Sequence, residues 1–225
     1  MAKVVYKSYN QNDNLLFPPC LGDFIAENDP VRVLDAIVEN LDISAIEATY
    51  IGGGTSSYHP RMLLKVVLYA YLQNVYSGRK METLVRRDVN FMWLSGMQRP
   101  DFNTINLFRK NRLAGVIDDL FTQVVQMLVD GKFITLDVQY IDGTKIESRA
   151  NKYTFVWKKA TKTNREKLDK KVKAVLAEAV FGQIKYDGGF RRFHYCGKQY
   201  VGAEFATIAI SHNIKKMITR LNAIA

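Results

Sequence analysis

The chain has 225 residues, 48% of them hydrophobic, which is enough to bury a core as one large domain or two small ones. Its net charge of +10 points toward a polyanionic partner, and no apolar run approaches the roughly 20 residues that span a bilayer. Cys20 and Cys196 stand far apart without paired spacing and Met1-Ala2-Lys3-Val4-Val5-Tyr6-Lys7 holds no signal-peptide h-region, so neither a disulfide framework nor a zinc site is expected, and a reduced, cytoplasmic compartment is.

In chain order, Asp29-Pro30 is a cap followed by proline at the first helical position, and Val31, Leu34, Ile37, Val38 and Leu41 follow at helical spacing. Gly52-Gly53-Gly54 lacks the lysine of a phosphate-binding loop and reads as a linker. His59-Pro60 opens a second helix, with Met62, Leu63, Val66, Val67 and Ala70 inside, ending near Ser77-Gly78. A third runs from Arg79 to about Asn90 with Leu84 in the core, and Phe91-Met92-Trp93-Leu94 is apolar enough to be buried. Pro100-Asp101-Phe102-Asn103-Thr104 reads as a turn and cap before a helix with Ile105 and Phe108. Val116, Ile117, Leu120, Phe121, Val124, Val125 and Leu128 form a clean amphipathic stripe closed by Gly131.

From Phe133 the period changes to two, and residues 138–148 and 152–158 read as paired antiparallel strands. A lysine-rich helix is expected from about Asn164, with residues 179–185 continuing it, and a last helix from about Val201 to Asn222 with Phe205, Ile208, Ile214, Met217, Ile218 and Leu221 as its stripe. The expected fold class is therefore α+β and mainly α, with a helical part over residues 1–131 and a second part over 132–225.

Charge is segregated along this order. Residues 1–60 hold 3 Lys/Arg against 8 Asp/Glu, residues 61–112 hold 10 against 3, residues 113–143 hold 1 against 5, and residues 144–225 hold 18 against 6. Two basic blocks, alternating with acidic ones, suggest surfaces facing DNA or RNA. Arg86, Arg87, Arg109, Lys110 and Arg112 sit opposite apolar stripes and are candidate DNA contacts, although solvated helix faces also place charges there. Arg191 and Arg192 between Phe190 and Phe193 have the basic and aromatic character of a strand-contacting loop, while the phenylalanines could equally belong to the core. Asp142-Gly143 between strand-like segments is also a common hairpin signal. Glu178 and Lys185 share one short stretch, and Lys185 either guides a phosphate or is plain surface. His59 is a helix cap, and His194 and His212 lack ligand-spaced partners, so no metal role is expected of them.

Three runs in the first part, Tyr58-His59-Pro60-Arg61-Met62-Leu63-Leu64-Lys65, Tyr76-Ser77-Gly78-Arg79-Lys80-Met81-Glu82 and Pro100-Asp101-Phe102-Asn103-Thr104-Ile105, resemble the DDE transposases of bacterial insertion sequences. Ile141-Asp142-Gly143-Thr144-Lys145 is similar to that family's first catalytic strand, and Val180-Phe181-Gly182-Gln183-Ile184-Lys185 with Gly189-Phe190-Arg191-Arg192-Phe193 to the segment around its final glutamate. The resemblance implies a ribonuclease H-like second domain and two Mg²⁺ ions held by carboxylates, among them Asp142 and Glu178 as catalytic and metal-binding residues, with Lys185 following the glutamate. It also implies terminal inverted-repeat DNA as partner, with possible homo-oligomers or pairing with a full-length transposase. The chain departs from the pattern in having only residues 143–177 between the two acids, where Asp169 matches no motif, and in carrying Ala174 and Ala179 at positions where arginine and proline are usual. It therefore reads as an internally deleted transposase, joined around residues 172–180, that binds transposon ends for DNA transposition with an incomplete catalytic core. The alternative is a non-catalytic, DNA-binding regulator that dampens transposition.

Overall fold

The computed structural model describes residues 20–50, 57–131, 133, 188–190 and 192–224. Leu21–Phe24 form a single 3-10 turn ahead of the first helix, α1, Pro30–Glu39. There the Asp29 carboxylate accepts from Val31 N at 2.8 Å, and Val31, Leu34, Ile37 and Val38 turn inward as their spacing predicts. A one-turn helix α2, Ser44–Glu47, adds Ile46 to the core.

Helix α3, Pro60–Leu72, is buried on nearly all sides, which marks it as the central element rather than a surface amphipathic helix. Its N-terminus is capped by His59 Nδ1, which accepts from Arg61 N at 3.2 Å. Arg61 turns back and donates to the carbonyls of Val38, Glu39 and Leu41, satisfying the orphan acceptors at the end of α1. Lys65 adds an ion pair to Asp35 at 2.5 Å and another to Glu39.

The end of α3 differs from expectation. Asn74 takes a left-handed conformation (φ 60°), which the short polar side chain tolerates and which stops the helix before Ser77-Gly78. The helix expected from Arg79 to Asn90 is also two helices, α4 (Gly78–Arg87) and α5 (Val89–Leu94). Asp88 divides them by accepting from Asn90 N at 3.0 Å and Phe91 N at 3.2 Å, a better use of its carboxylate than a mid-helix position. Helix α6, Phe102–Leu107, starts where Asp101 accepts from Thr104 N, and runs into a π-helical segment, Phe108–Leu113. Helix α7, Ile117–Asp130, buries the predicted stripe.

The last helix, α8, covers Lys198–Ile224 and packs along both α3 and α7. Ile208, Ile210, Ile214 and Ile218 enter the same continuous apolar cluster as α1 and α3, and the Ser211 hydroxyl donates to Leu68 O at 3.2 Å. The C-terminal segment is thus part of the core that the first 130 residues build. The mainly helical expectation holds, and among the described residues there is no strand. The strands expected over 138–148 and 152–158, the lysine-rich helix from about Asn164, its continuation over 179–185 and the linker at Gly52-Gly53-Gly54 lie outside the described residues. No helix of the described residues is long and apolar enough to cross a membrane.

Ile214 is fully buried, so Ile214→Ala removes apolar contacts and leaves a cavity at the seam of α8 with the core. A loss of about 2–5 kcal/mol is expected in urea unfolding, as for other core truncations. A loss under about 1 kcal/mol would mean that α8 is not seated as described.

Candidate nucleic-acid interface

Helix α4 carries most of the exposed cationic charge of the first basic block. Met81 and Val85 fix its inner face, which leaves Arg79, Lys80, Arg86 and Arg87 on the solvent side. Glu82 is the acid among them and pairs with Arg86 across one helical turn at 2.7 Å, while Arg79 lies over the Phe102 ring at 5.2 Å. Arg79, Glu82, Thr83, Arg86, Arg87 and Phe102 line a groove of about 360 Å³. Arg86 and Arg87 occupy the last turn, where the helix dipole favours positive charge.

The helix can approach α6 closely because its first residue has no side chain. A Cβ on Gly78 would lie 2.5 Å from Asn106 Oδ1. Asn106 in turn accepts from Tyr195 OH and from Arg109 Nη1, both at 3.4 Å. The start of the basic helix is therefore registered against an internal polar network.

Arg109 is the centre of that network and corrects the expectation that the whole 109–112 set faces solvent. It is 5% exposed. Its guanidinium donates to Tyr76 O at 3.1 Å and to the Tyr71 hydroxyl, and lies between the rings of Tyr71 (5.2 Å) and Tyr195 (5.0 Å). The countercharge is Glu204 of α8, 3.6 Å away, with a side chain fully removed from solvent. Glu204 also accepts from His194 N at 2.8 Å, from Tyr195 N at 3.4 Å and from the His194 ring at 2.7 Å. With a carboxylate as acceptor, Nδ1 is the assigned protonated nitrogen of His194.

Burial opposes the charge on Arg109, but Tyr71, Tyr195 and Glu204 hold the guanidinium above its ordinary pKa. Burial also pushes the phenols of Tyr71 and Tyr195 upward, and that of Tyr76 up to about 12, so all three stay neutral around the ion pair. Two buried charges are tolerated here because each is hydrogen-bonded as well as paired.

The other candidates fall into three groups. Arg86, Arg87 and Arg192 are exposed, and so is Lys110, whose ammonium sits 5.2 Å over the Tyr200 ring. Arg112 is half-buried, stacked on Tyr50 at 4.5 Å and donating to Thr49 O, so it ties the π-helical segment to the end of α2. Asp142, Glu178, Lys185 and Arg191 lie outside the described residues. Phe190 and Phe193 are core: they pack edge-on to each other at 5.2 Å, and Phe190 packs on Tyr76 at 5.0 Å. The sequence reading missed Glu204, although one carboxylate set in the apolar face of the last helix between Val201 and Ile208 is the signal of a buried pair.

Comparison with protein families gives two matches, a Transposase domain (DUF772) over residues 19–111 and a Transposase DDE domain over residues 140–218. The chain belongs to the insertion-sequence DDE transposases. Comparison with curated proteins and with solved structures gave no match. The two matched segments of the transposase are those that the Arg109–Glu204 pair joins, one residue from each.

Metal dependence is general in this family. Among the described residues no group of three His, Cys, Asp or Glu could hold an ion, and the two expected carboxylates lie outside them.

Glu204→Ala leaves a buried guanidinium without its countercharge, and a loss of about 3–5 kcal/mol is expected in urea unfolding. The double replacement Arg109→Met with Glu204→Leu should cost less than the two single changes added together, by more than about 0.5 kcal/mol. Additive losses would show that the pair is not coupled. Gly78→Ala should cost about 1–2 kcal/mol, because the network that holds Asn106 leaves it little room to move away.

Proposed function

We propose that this transposase chain binds the terminal inverted-repeat DNA of its element through the exposed cations of α4, with the catalytic step weak or lost. The observation that carries the reading is the contrast between cations. Arg109, Arg112, Arg61 and Lys65 are consumed by internal partners, whereas Arg79, Lys80, Arg86 and Arg87 stand together on one ten-residue helix with Glu82 as the acid among them. Such a helix is about 15 Å long, and its charged side can lie along a major groove about 12 Å wide. Lys110 and Arg192 are exposed and add to the basic surface. Partner oligomers, either of this chain or with a full-length transposase, belong to the same proposal.

In this reading residues 1–131 are the helical, DNA-engaging part and residues 132–225 descend from the catalytic part. Asp142 and Glu178 are the metal-binding carboxylates kept from a ribonuclease H-like core. Only residues 143–177 separate them, too few to supply the remaining strands and the third carboxylate. A two-metal site holds its ions about 3.5–4 Å apart, and two carboxylates leave that charge poorly balanced. Lys185 and Arg191 would follow the DNA strand beside this remnant.

A second reading is favoured by the core itself. The described helices close on one another around one apolar cluster, so the chain retains a folded body that can occupy transposon ends without cutting them. It would then act as a regulator that dampens transposition.

A gel shift with inverted-repeat DNA at two salt concentrations tests the binding. Arg86→Ala and Arg87→Ala should each weaken it and lower the salt slope by about 1, as expected for a lost phosphate contact. Unchanged binding by the double variant would remove α4 as the interface. Magnesium-dependent nicking of the same DNA, compared with Asp142→Ala, tests the catalytic part. Vigorous cleavage that needs Asp142 would overturn the claim of a weakened centre.

A further inference from the structure

Where α3 ends and the second half of α8 passes, Tyr76, Asn74, His212, Lys215, Lys216 and Arg220 line a cavity of about 420 Å³. That volume is within the range of small-ligand clefts, about 300–1,000 Å³. His212, Lys215, Lys216 and Arg220 share one face of α8, since they are spaced three and four residues apart. Among the described residues, none of these cations has an acidic partner and no carboxylate lines the cavity. His212 Nε2 is buried and has no hydrogen-bond partner among the described residues.

The hydroxyls nearby are already engaged. Tyr76 donates to Gly188 O at 3.0 Å, Ser211 to Leu68 and Thr207 carbonyls, and Thr219 to Lys215 O. What remains available is a set of N–H donors: two ammonium groups, one guanidinium and one imidazole. Like charges at i and i+4, such as Lys216 and Arg220, oppose helix formation unless an anion lies between them. Buried donors without partners are rare for the same energetic reason.

We propose that this cavity is a binding site for a phosphate group, held by Lys215, Lys216 and Arg220 with His212 Nε2 as the inner donor. The site deepens the DNA-binding reading, on which it rests only for the owner of the phosphate, a DNA strand. Burial, with Lys216 and Lys215 beside it, holds the His212 pKa down to about 4, so the ring is neutral in the empty site at neutral pH. An anionic phosphate in the cavity, singly charged in a DNA diester, offsets part of that positive charge and raises the His212 pKa. Binding therefore strengthens as pH falls toward that raised value. Among the described residues, the titratable and charged groups that line the cavity with His212 are Lys215, Lys216 and Arg220 on α8, Tyr71 on α3 and Tyr76 after it.

The chain has three histidines, so NMR of the ring C–H groups resolves each one. Inorganic phosphate and, separately, sulfate are titrated against chloride at matched ionic strength. Sulfate keeps its charge between about pH 5 and 8, where an ordinary histidine titrates. The expected result is a saturable shift of His212 alone, a His212 midpoint higher by about one pH unit or more, and a response at least about tenfold weaker in Lys216→Gln/Arg220→Gln. An unmoved His212, or an equal response in that variant, would overturn the site. Gel shifts with the same variant identify the owner of the phosphate: several-fold weaker DNA binding supports a DNA strand, whereas an intact gel shift beside a positive anion titration overturns DNA as the source. Failure of the α4 variants in their own assay leaves the anion titration untouched, so the two readings fail separately.

Discussion

Arg109 and Glu204 place opposite charges in the interior from segments remote in sequence, and the surrounding architecture is arranged so that neither is left unsatisfied. A charge buried without a partner is among the most costly groups a small protein can hold. The guanidinium therefore fixes more than its own position. It sets where Tyr71 at the end of α3, the Tyr76 carbonyl, Asn106 of α6 and Tyr195 ahead of α8 must lie. Glu204 does the same for the backbone at His194 and Tyr195, turning that short segment inward so that Phe190 and Phe193 enter the core. The π-helical segment that carries Arg109 fits this demand, since a wider turn re-aims side chains that a regular helix would direct elsewhere.

A division of labour among cations follows. Those on α1–α3, with Arg109 and Arg112 of the π-helical segment, bind carbonyls, rings or carboxylates and serve packing. Among the described residues, those on α4 and on the later half of α8 lack such partners, apart from the Arg86–Glu82 contact and the Arg79–Phe102 stacking. Net charge alone does not separate these classes. An internal cation is a structural group whose removal lowers stability, while an unpaired surface cation contributes little to stability and much to attraction of a polyanion. The basic composition of a transposase is in this chain the sum of both.

Local signals were legible in the sequence. Asp29-Pro30, Asp101 ahead of α6 and the stripe of α7 depend on neighbours within a turn or two, and the structure shows them as read. The limits of α3 and α4 were not legible, because Asn74 and Asp88 each use a polar side chain or a left-handed backbone to break a pattern that apolar spacing would continue. Arg109 escaped because a charge reading assigns every arginine to solvent, and its partner is remote in sequence. The basic and aromatic loop at Phe190 and Phe193 had two readings; the packing on Tyr76 supports the core one for the aromatics, while Arg192 stays outside. Asp142 and Glu178, the carboxylates proposed for the chemistry, rest on the sequence resemblance, since they lie outside the described residues.

The central claim is that the C-terminal helix and the N-terminal helices are one cooperative body held by the buried pair. Native-state hydrogen exchange across a series of low denaturant concentrations tests it most directly. Backbone amides between Ala203 and Ile214 should open only with global unfolding, at the same free energy as those of Val66 to Tyr71 in α3. Exchange of the α8 amides through a separate, lower-energy opening, with α3 still protected, would contradict it.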